Sequence, residues 1–517
     1  MGTVLLDLGQ HAEAIGPLRR AVALRLDHAE AHRNLGIALR EIGRFAEALE
    51  SVRAAVTLHP DDASLLGEIV QLRLMLCDWR DIAADIARMV AAIGRGGAAS
   101  PPFPVLLTSD DPAVQRQAAA AFATRRYPED RRPPRPEANA PHDRIRIGYF
   151  SADFRDHPVS TLTLGLLEQH DPRRFQVTAF SFAPTPPDAV TRRVAAACER
   201  FVDVGALPDA AVADLAREAE IDIAIDLGGF TRHARTGIFA ARAAPVQVNY
   251  IGYPGTMGAN YYDYILADRV VIPATTRGHY AEKVVYLPSY QCGLLDTPAA
   301  APPRARAEAG LPAHGFVFCC FNNHLKITPG MFASWMAILR GTWDSVLWLY
   351  SGNDAASRNI LAAAAGQGVD PGRVVIAGRV PRAAYLDRMR LADVFLDTAP
   401  YNAGATASDA LSVGLPVLTL RGASFAGRMG ASLLTTLGLP ALIAESRDAY
   451  ERIAITLARE PVRLAGLRHA LGAHRHGSGL FDPVRFTRGV EAAYTAMHER
   501  ARAGLAPDHI DMPQPWP

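Results

Sequence analysis

From Arg144 onward, short runs rich in β-branched and aromatic residues alternate with helical stretches, and this alternation restricts the fold more than any other feature. Six runs come first, at 144–150, 175–182, 222–227, 246–251, 264–267 and 283–287. Five more follow, at 316–321, 346–350, 374–377, 394–396 and 416–420, after a Pro/Ala-rich stretch at 297–311. Strands separated by helices pair in parallel, because each crossover returns the chain to the same end of the sheet. Two doubly wound, Rossmann-like lobes in tandem are therefore expected, at 143–312 and 313–517. The second should close on a terminal helix opened by Asp482-Pro483, with Val490, Ala493, Tyr494 and Met497 on one face. Open α/β sheets bind ligands outside the carboxyl ends of their strands, so a cleft between the lobes is the expected place for chemistry.

Residues 1–94 keep a different rhythm. Gly9, Ala14 and Ala21 recur as Gly43, Ala48 and Ala55, each 34 residues on, and Gln10-His-Ala-Glu-Ala14 matches Arg44-Phe-Ala-Glu-Ala48. A third, degenerate copy puts Cys77 at the glycine position and Trp79 at that of Phe45. The period resembles tetratricopeptide repeats, whose concave face binds extended peptides, so this array is expected to capture a partner. The first copy is expected to be clipped, because only about two helical turns precede Gly9. Residues 95–142, with Ser100-Pro-Pro-Phe-Pro104 and Arg131-Arg-Pro-Pro-Arg-Pro136, read as a Pro-rich connector around one helix from Asp111 to Arg125.

A chain of 517 residues with 49% hydrophobic and 21% charged residues is an ordinary globular composition. A net charge of +1 leaves no global field for nucleic acid. Five cysteines without metal-ligand spacing suit a reducing compartment. The N-terminus turns acidic at Asp7, too soon for a signal peptide, and no eighteen apolar residues run uninterrupted. A cytoplasmic protein without membrane or nucleic-acid partners is expected.

The richest run for chemistry is Phe395-Leu-Asp-Thr-Ala-Pro-Tyr-Asn-Ala-Gly-Ala-Thr-Ala-Ser-Asp409. Small residues let a backbone approach a ligand, and a helix beginning near Thr406 aims free N–H groups at an anion. Asp409, one turn in, can reach a sugar hydroxyl. Together these suggest a cradle for the phosphates of a nucleotide sugar, although taken alone the segment also fits a plain strand-to-helix loop. Lys326, after the run at 316–321, can neutralise a departing diphosphate. Tyr385 offers a flat face to a base, and Arg388 lies almost a turn further on. His157, fixed by Pro158 and with Ser160 as helix cap, can take a proton from a hydroxyl or hold a phosphate. Thr231, Gly252 and Pro254 belong to glycine-rich segments expected to line the rim for sugar and acceptor. There is no Walker loop, His-Glu-x-x-His pair or Asp-x-Asp site, and His28 and His32 lack a third ligand, so neither metal nor cofactor is expected.

Five motifs, in order, resemble the protein O-GlcNAc transferase family, glycosyltransferase family 41. They are Gly148-Tyr-Phe-Ser-Ala-Asp-Phe-Arg-Asp-His-Pro158, Gly252-Tyr-Pro-Gly-Thr256, Phe321-Asn-Asn-His-Leu-Lys326, Leu396-Asp-Thr398 through Asp409, and Arg428 with Ser432-Leu-Leu. The resemblance implies tetratricopeptide repeats followed by a GT-B region of two Rossmann-like lobes, in a compact, bacterial-type member. It also implies inverting, metal-independent transfer from UDP-GlcNAc to serine or threonine of a polypeptide held by the repeats and the inter-lobe cleft. Implied roles fall on His157 as base or phosphate contact, Lys326 on the β-phosphate, and Asn323 where the family often has glutamine. Val380, Pro381, Arg382, Tyr385 and Arg388 match the uridine-binding segment; animal members carry lysine and histidine in place of Arg382 and Tyr385. Gly404, Ala405 and Thr406 match a His-Thr-Thr phosphate triplet of which only the threonine remains, and Asp409 matches a ribose-binding aspartate. GDP-fucose or UDP-glucose as donor remains open here, as does a repeat scaffold whose lobes bind nucleotide without catalysis.

Overall fold

The computed structural model describes residues 1–95, 100–128, 133, 136–140, 142–295 and 305–512. Three helical hairpins come first: Gly2–Asp7 with His11–Leu24, Ala29–Glu41 with Phe45–Leu58, and Ala63–Leu76 with Ile82–Gly94. Each turn holds a residue in the left-handed region, Gly9, Gly43 and Cys77, at φ 72°, 82° and 48°, and the third adds Asp81 at 55°. The third repeat therefore keeps the turn after losing its glycine, at a steric cost of about 1 kcal/mol. The repeat also fixes small residues where helices cross: a Cβ at Gly36 would lie 2.5 Å from Val52 Cγ2.

The connector holds two helices, Pro102–Thr108 and Pro112–Arg126, where the sequence suggests one. The stretch 100–104 reads as linker, yet a proline in a first helical turn forfeits no hydrogen bond, and Val105, Leu106 and Leu107 are fully buried. Most of the 131–136 segment lies outside the described residues. The helix pair straps the lobes together. Phe122 meets Phe230 edge-on, Phe103 meets Tyr401, and Asp110 accepts from the Ala423 and Ser424 N–H groups at 2.7 and 3.0 Å.

The N-lobe strands are β1 (Ile145–Ser151), β2 (Phe175–Ser181), β3 (Arg200–Asp203), β4 (Ile223–Asp226), β5 (Val246–Asn249), β6 (Tyr264–Ala267) and β7 (Lys283–Tyr286). The C-lobe strands are β8 (Phe316–Cys320), β9 (Ser345–Tyr350), β10 (Val374–Ala377), β11 (Val394–Leu396), β12 (Val417–Leu420) and β13 (Ile443–Ala444). The chain returns once more as β14 (Ile510–Asp511). The sheets run β14-β7-β6-β5-β4-β1-β2-β3 and β10-β9-β8-β11-β12-β13, with parallel pairing throughout. Central strands such as β4 and β5 are buried on both faces, which is why they read as unbroken apolar runs.

The terminal helix, Pro483–Arg502, does not belong to the C-lobe as the sequence boundary at 313–517 proposes. Phe486, Val490, Ala493, Tyr494 and Met497 enter the N-lobe core with Ile147, Tyr149 and Leu166. Fully buried Glu491 fixes this crossing, accepting the Asp171 N–H at 2.7 Å and lying 3.2 Å from His170 Nδ1. β14 then adds to β7 at the N-lobe edge. No helix among the described residues is long and apolar enough to cross a membrane.

Candidate active site

The loops after β8 and β11 meet around Asp397, which is fully buried. Its carboxylate accepts the Thr398 and Ala403 N–H groups and the Thr419 hydroxyl, each at 2.7 Å, and Asn322 Nδ2 at 3.3 Å. These bonds curl residues 398–403 into a loop whose Asn402 carbonyl and Tyr401 ring face Lys326. The ammonium donates to Asn402 O at 3.1 Å and stands 3.6 Å from the Tyr401 ring centroid. Burial pushes the Lys326 ammonium down and the Asp397 carboxyl up, and their mutual attraction opposes both shifts. The sequence motifs contain Asp397 and Asn322 but assign a role only to Lys326, whose surroundings these two hold. An aspartate ending an apolar strand was the available signal, since a buried carboxylate needs donors to satisfy it.

The helix expected near Thr406 spans Ala405–Ser412, with Gly404 as N-cap and no side chain capping its first N–H groups. Those groups and the positive end of the helix dipole are left for an anion. The Tyr385 ring packs edge-on against Phe321. Asp409, expected to meet a sugar hydroxyl, is engaged by Arg382, which donates to its two oxygens at 2.7 and 3.2 Å. Each oxygen retains lone-pair capacity, so the guanidinium aims the carboxylate without saturating it. Arg388 donates to Gly378 O at 2.8 Å and lies over the Phe321 and Trp348 rings. With Trp348, Gly378, Ala384 and Leu391 it lines a cavity of about 210 Å³. Arg382, Tyr385 and Arg388 lie on the helix Arg382–Met389; Val380 is half-buried in the loop before it, and exposed Pro381 is its N-cap. Asn323 is exposed and caps the turn His324–Lys326 by accepting from the Leu325 N–H at 3.2 Å.

That turn is fastened to the repeats. His324 Nε2 and Asn353 Nδ2 both lie 2.9 Å from Met75 O, and Asn359 Nδ2 donates to Leu76 O at 2.8 Å. The C-lobe thus supplies donors to the orphan carbonyls ending the helix Ala63–Leu76.

On the N-lobe side, His157 itself is the N-cap of the helix Pro158–Gln169, with Nδ1 3.3 Å from the Val159 N–H. Ser160, expected as the cap, instead donates its hydroxyl to Asp153 O at 2.5 Å. Asp153 Oδ2 also lies 3.4 Å from Nδ1. The two neighbours make opposite demands. With Nδ1 protonated toward Asp153, Nε2 carries a lone pair and can act as a base; with Nδ1 accepting from Val159, Nε2–H is a donor suited to phosphate. Burial lowers the His157 pKa and Asp153 partly restores it.

The helix begun by His157 packs against Ala405–Ser412 across the lobe interface, and neighbouring Asp156 pulls electrostatically on Arg382. His157, Lys326 and the helix Ala405–Ser412 therefore share one seam between the lobes. The rim residues divide. Thr231 is half-buried and donates to Gly228 O at 2.8 Å, whereas Pro254 is buried beneath its loop. Gly252 is required by close approach, because a Cβ there would lie 1.9 Å from Leu227 O.

Two parallel α/β lobes meeting at an uncapped helix and a half-buried lysine define the GT-B class of glycosyltransferase fold. Residues 132–293 and 295–490 match the model of glycosyl transferase family 41, and the chain belongs to that family. Residues 1–63 match a tetratricopeptide repeat model. The chain is similar to a solved lysine-to-methionine mutant of the Thermobaculum terrenum O-GlcNAc transferase, with TM-score 0.81 and 30% identity over 97% of each chain. It is 34% identical over 374 residues to the probable UDP-N-acetylglucosamine–peptide N-acetylglucosaminyltransferase SEC of Arabidopsis thaliana, covering 71% of this chain and 38% of the relative. It is 27% identical over 480 residues to the UDP-N-acetylglucosamine–peptide N-acetylglucosaminyltransferase of Caenorhabditis elegans, covering 71% and 42%. The chain thus spans about two fifths of the length of these curated relatives.

Proposed function

We propose that the protein transfers N-acetylglucosamine from UDP-GlcNAc to serine or threonine hydroxyls of polypeptides, with inversion and without a metal. One observation carries the proposal: the Lys326 ammonium is held by Asn402 O and the Tyr401 ring beside the uncapped start of Ala405–Ser412. Positive charge stands there where a leaving diphosphate would gain negative charge. The acceptor oxygen attacks the anomeric carbon as the bond to the β-phosphate oxygen breaks, so configuration inverts and UDP departs. His157 receives the hydroxyl proton when Nδ1–H faces Asp153. Asp409, aimed by Arg382, takes a ribose hydroxyl, and the backbone at Val380 and Pro381 with Tyr385 and Arg388 receives the uracil. The cavity at Arg388 and Trp348 is large enough for a pyrimidine. Asn323 and Thr406 complete the diphosphate contacts, while Thr231 and Gly252 border the sugar and acceptor. The repeats deliver the polypeptide, and their attachment at Met75 and Leu76 holds them beside the Lys326 turn.

Intact-mass analysis of candidate polypeptides incubated with the protein and UDP-GlcNAc, UDP-glucose or GDP-fucose tests the reading. Addition of one N-acetylhexosamine from UDP-GlcNAc is expected. Addition of a hexose or deoxyhexose instead would reassign the donor. Nucleotide binding without transfer would leave a non-catalytic scaffold.

A further inference from the structure

The cradle has few side-chain donors of its own: Gly404 and Ala405 offer none, which leaves the Thr406 hydroxyl alone in the first turn's opening triplet. On the opposite lobe, after β7, Tyr290 is 2% exposed and its hydroxyl has no hydrogen-bond partner. An unpaired buried hydroxyl costs about 1–3 kcal/mol, and a native protein retains one when something else pairs it. Its position is fixed on two sides. The Tyr290 N–H donates to Asp268 at 2.9 Å, and the ring sits edge-on to Phe425 with centroids 5.5 Å apart.

The hydroxyl is aimed at the helix start. A Cβ built on Gly404 would lie 3.6 Å from it, with Gln291 Oε1 at 3.5 Å and Met429 Sδ at 3.6 Å. Among the other buried unpaired oxygens, those of Asn322 and Ser408 do not suit the role. Asn322 Oδ1 can only accept, and Ser408 lies beyond the first turn, beside Gly293.

We propose that the Tyr290 hydroxyl is a diphosphate ligand, supplied by the N-lobe to the space that glycine leaves open at position 404. This rests on the nucleotide-sugar reading above. A phosphate oxygen drawn onto the N–H groups of Ala405 and Thr406 comes up beside Gly404, and a small rotation of the phenol pairs the two. The bond joins the lobes through the donor, so diphosphate binding tightens the seam.

Calorimetric titration of the full chain with UDP, with GDP as a second diphosphate, and ligand-observed NMR with uridine test the proposal on wild type and Tyr290→Phe. The variant is expected to bind UDP about tenfold more weakly, bind uridine as wild type does, and unfold without ligand at an equal or higher temperature. Gly404→Ala, whose added methyl makes only ordinary contacts, should weaken UDP in the same direction while the phenol remains. UDP affinity within twofold of wild type in Tyr290→Phe would overturn the hydroxyl's role and leave the donor reading standing. Wild type binding neither diphosphate would overturn both. Equal losses for UDP and uridine would assign Tyr290 to packing and overturn the proposal.

Discussion

Lys326→Met removes one charge and keeps a side chain of similar length. The ammonium has three N–H donors and spends one on Asn402 O, leaving two for a diphosphate. Charge-assisted bonds contribute about 1.5–3 kcal/mol each, so the two together amount to about 3–6 kcal/mol. Were both made only as the leaving group gains charge, kcat would fall by about two to four orders of magnitude. The fold should tolerate the change, because Asp397 keeps its donors from Thr398, Ala403, Thr419 and Asn322. Losing the neighbouring cation also makes that carboxyl easier to protonate, which limits the penalty of an unpaired buried charge. The assay is UDP release from UDP-GlcNAc with a peptide acceptor, beside thermal melting of both proteins. A variant melting within a few degrees of wild type and retaining more than a tenth of its kcat would refute the leaving-group role.

Asp153→Asn takes away the charge that supports a protonated His157, so the His157 pKa should fall further and the acid limb of the activity profile should move to lower pH. An unmoved limb with unchanged kcat would remove Asp153 from the mechanism. Arg382→Ala leaves the Asp409 carboxylate without its two-point partner. With the guanidinium side chain 32% exposed, the expected stability loss in chemical denaturation is only about 1–2 kcal/mol. UDP affinity should drop in parallel, and Arg382→Lys should restore it incompletely, because an ammonium cannot reproduce the fork. Glu491 has its pKa lowered by bonds from His170, Asp171 and Arg488 that outweigh desolvation, so its contribution is full above the unfolded carboxylate value and is lost as pH falls through the folded one. Glu491→Gln should therefore lower the melting temperature at neutral pH and flatten the decline below about pH 4.5; equal melting at pH 7 would count against the anchor.

Much of this architecture is legible along the chain because buried parallel strands must be apolar on both faces. The eleven sequence runs are all strands, three with the same bounds and the rest with one or both ends shifted by one or two residues. β3 escaped because Arg200-Phe-Val-Asp203 lies at a sheet edge with its outer residues exposed, and β13 and β14 are two-residue edge strands. The helix Pro102–Thr108 was hidden by its prolines, which signal a break only when they fall beyond the first turn. The amphipathic face of Pro483–Arg502 was readable, but which lobe it covers depends on partners hundreds of residues away, such as Tyr149 and Tyr494 at 3.1 Å. At the site, Lys326 and the helix start at Ala405 stand out locally. The Arg382–Asp409 pair, 27 positions apart, and the Asp397 hub required three dimensions.

Because the polypeptide passes between the lobes once on leaving β7 and again on returning through Pro483–Arg502, neither half is a severable module. A cut at the apparent border would strip the first half of its covering helix and edge strand. The connector helices add a third link, since Phe122 meets one lobe and Phe103 the other. A substrate entering the seam meets a book bound along its spine, not a pair of drifting plates.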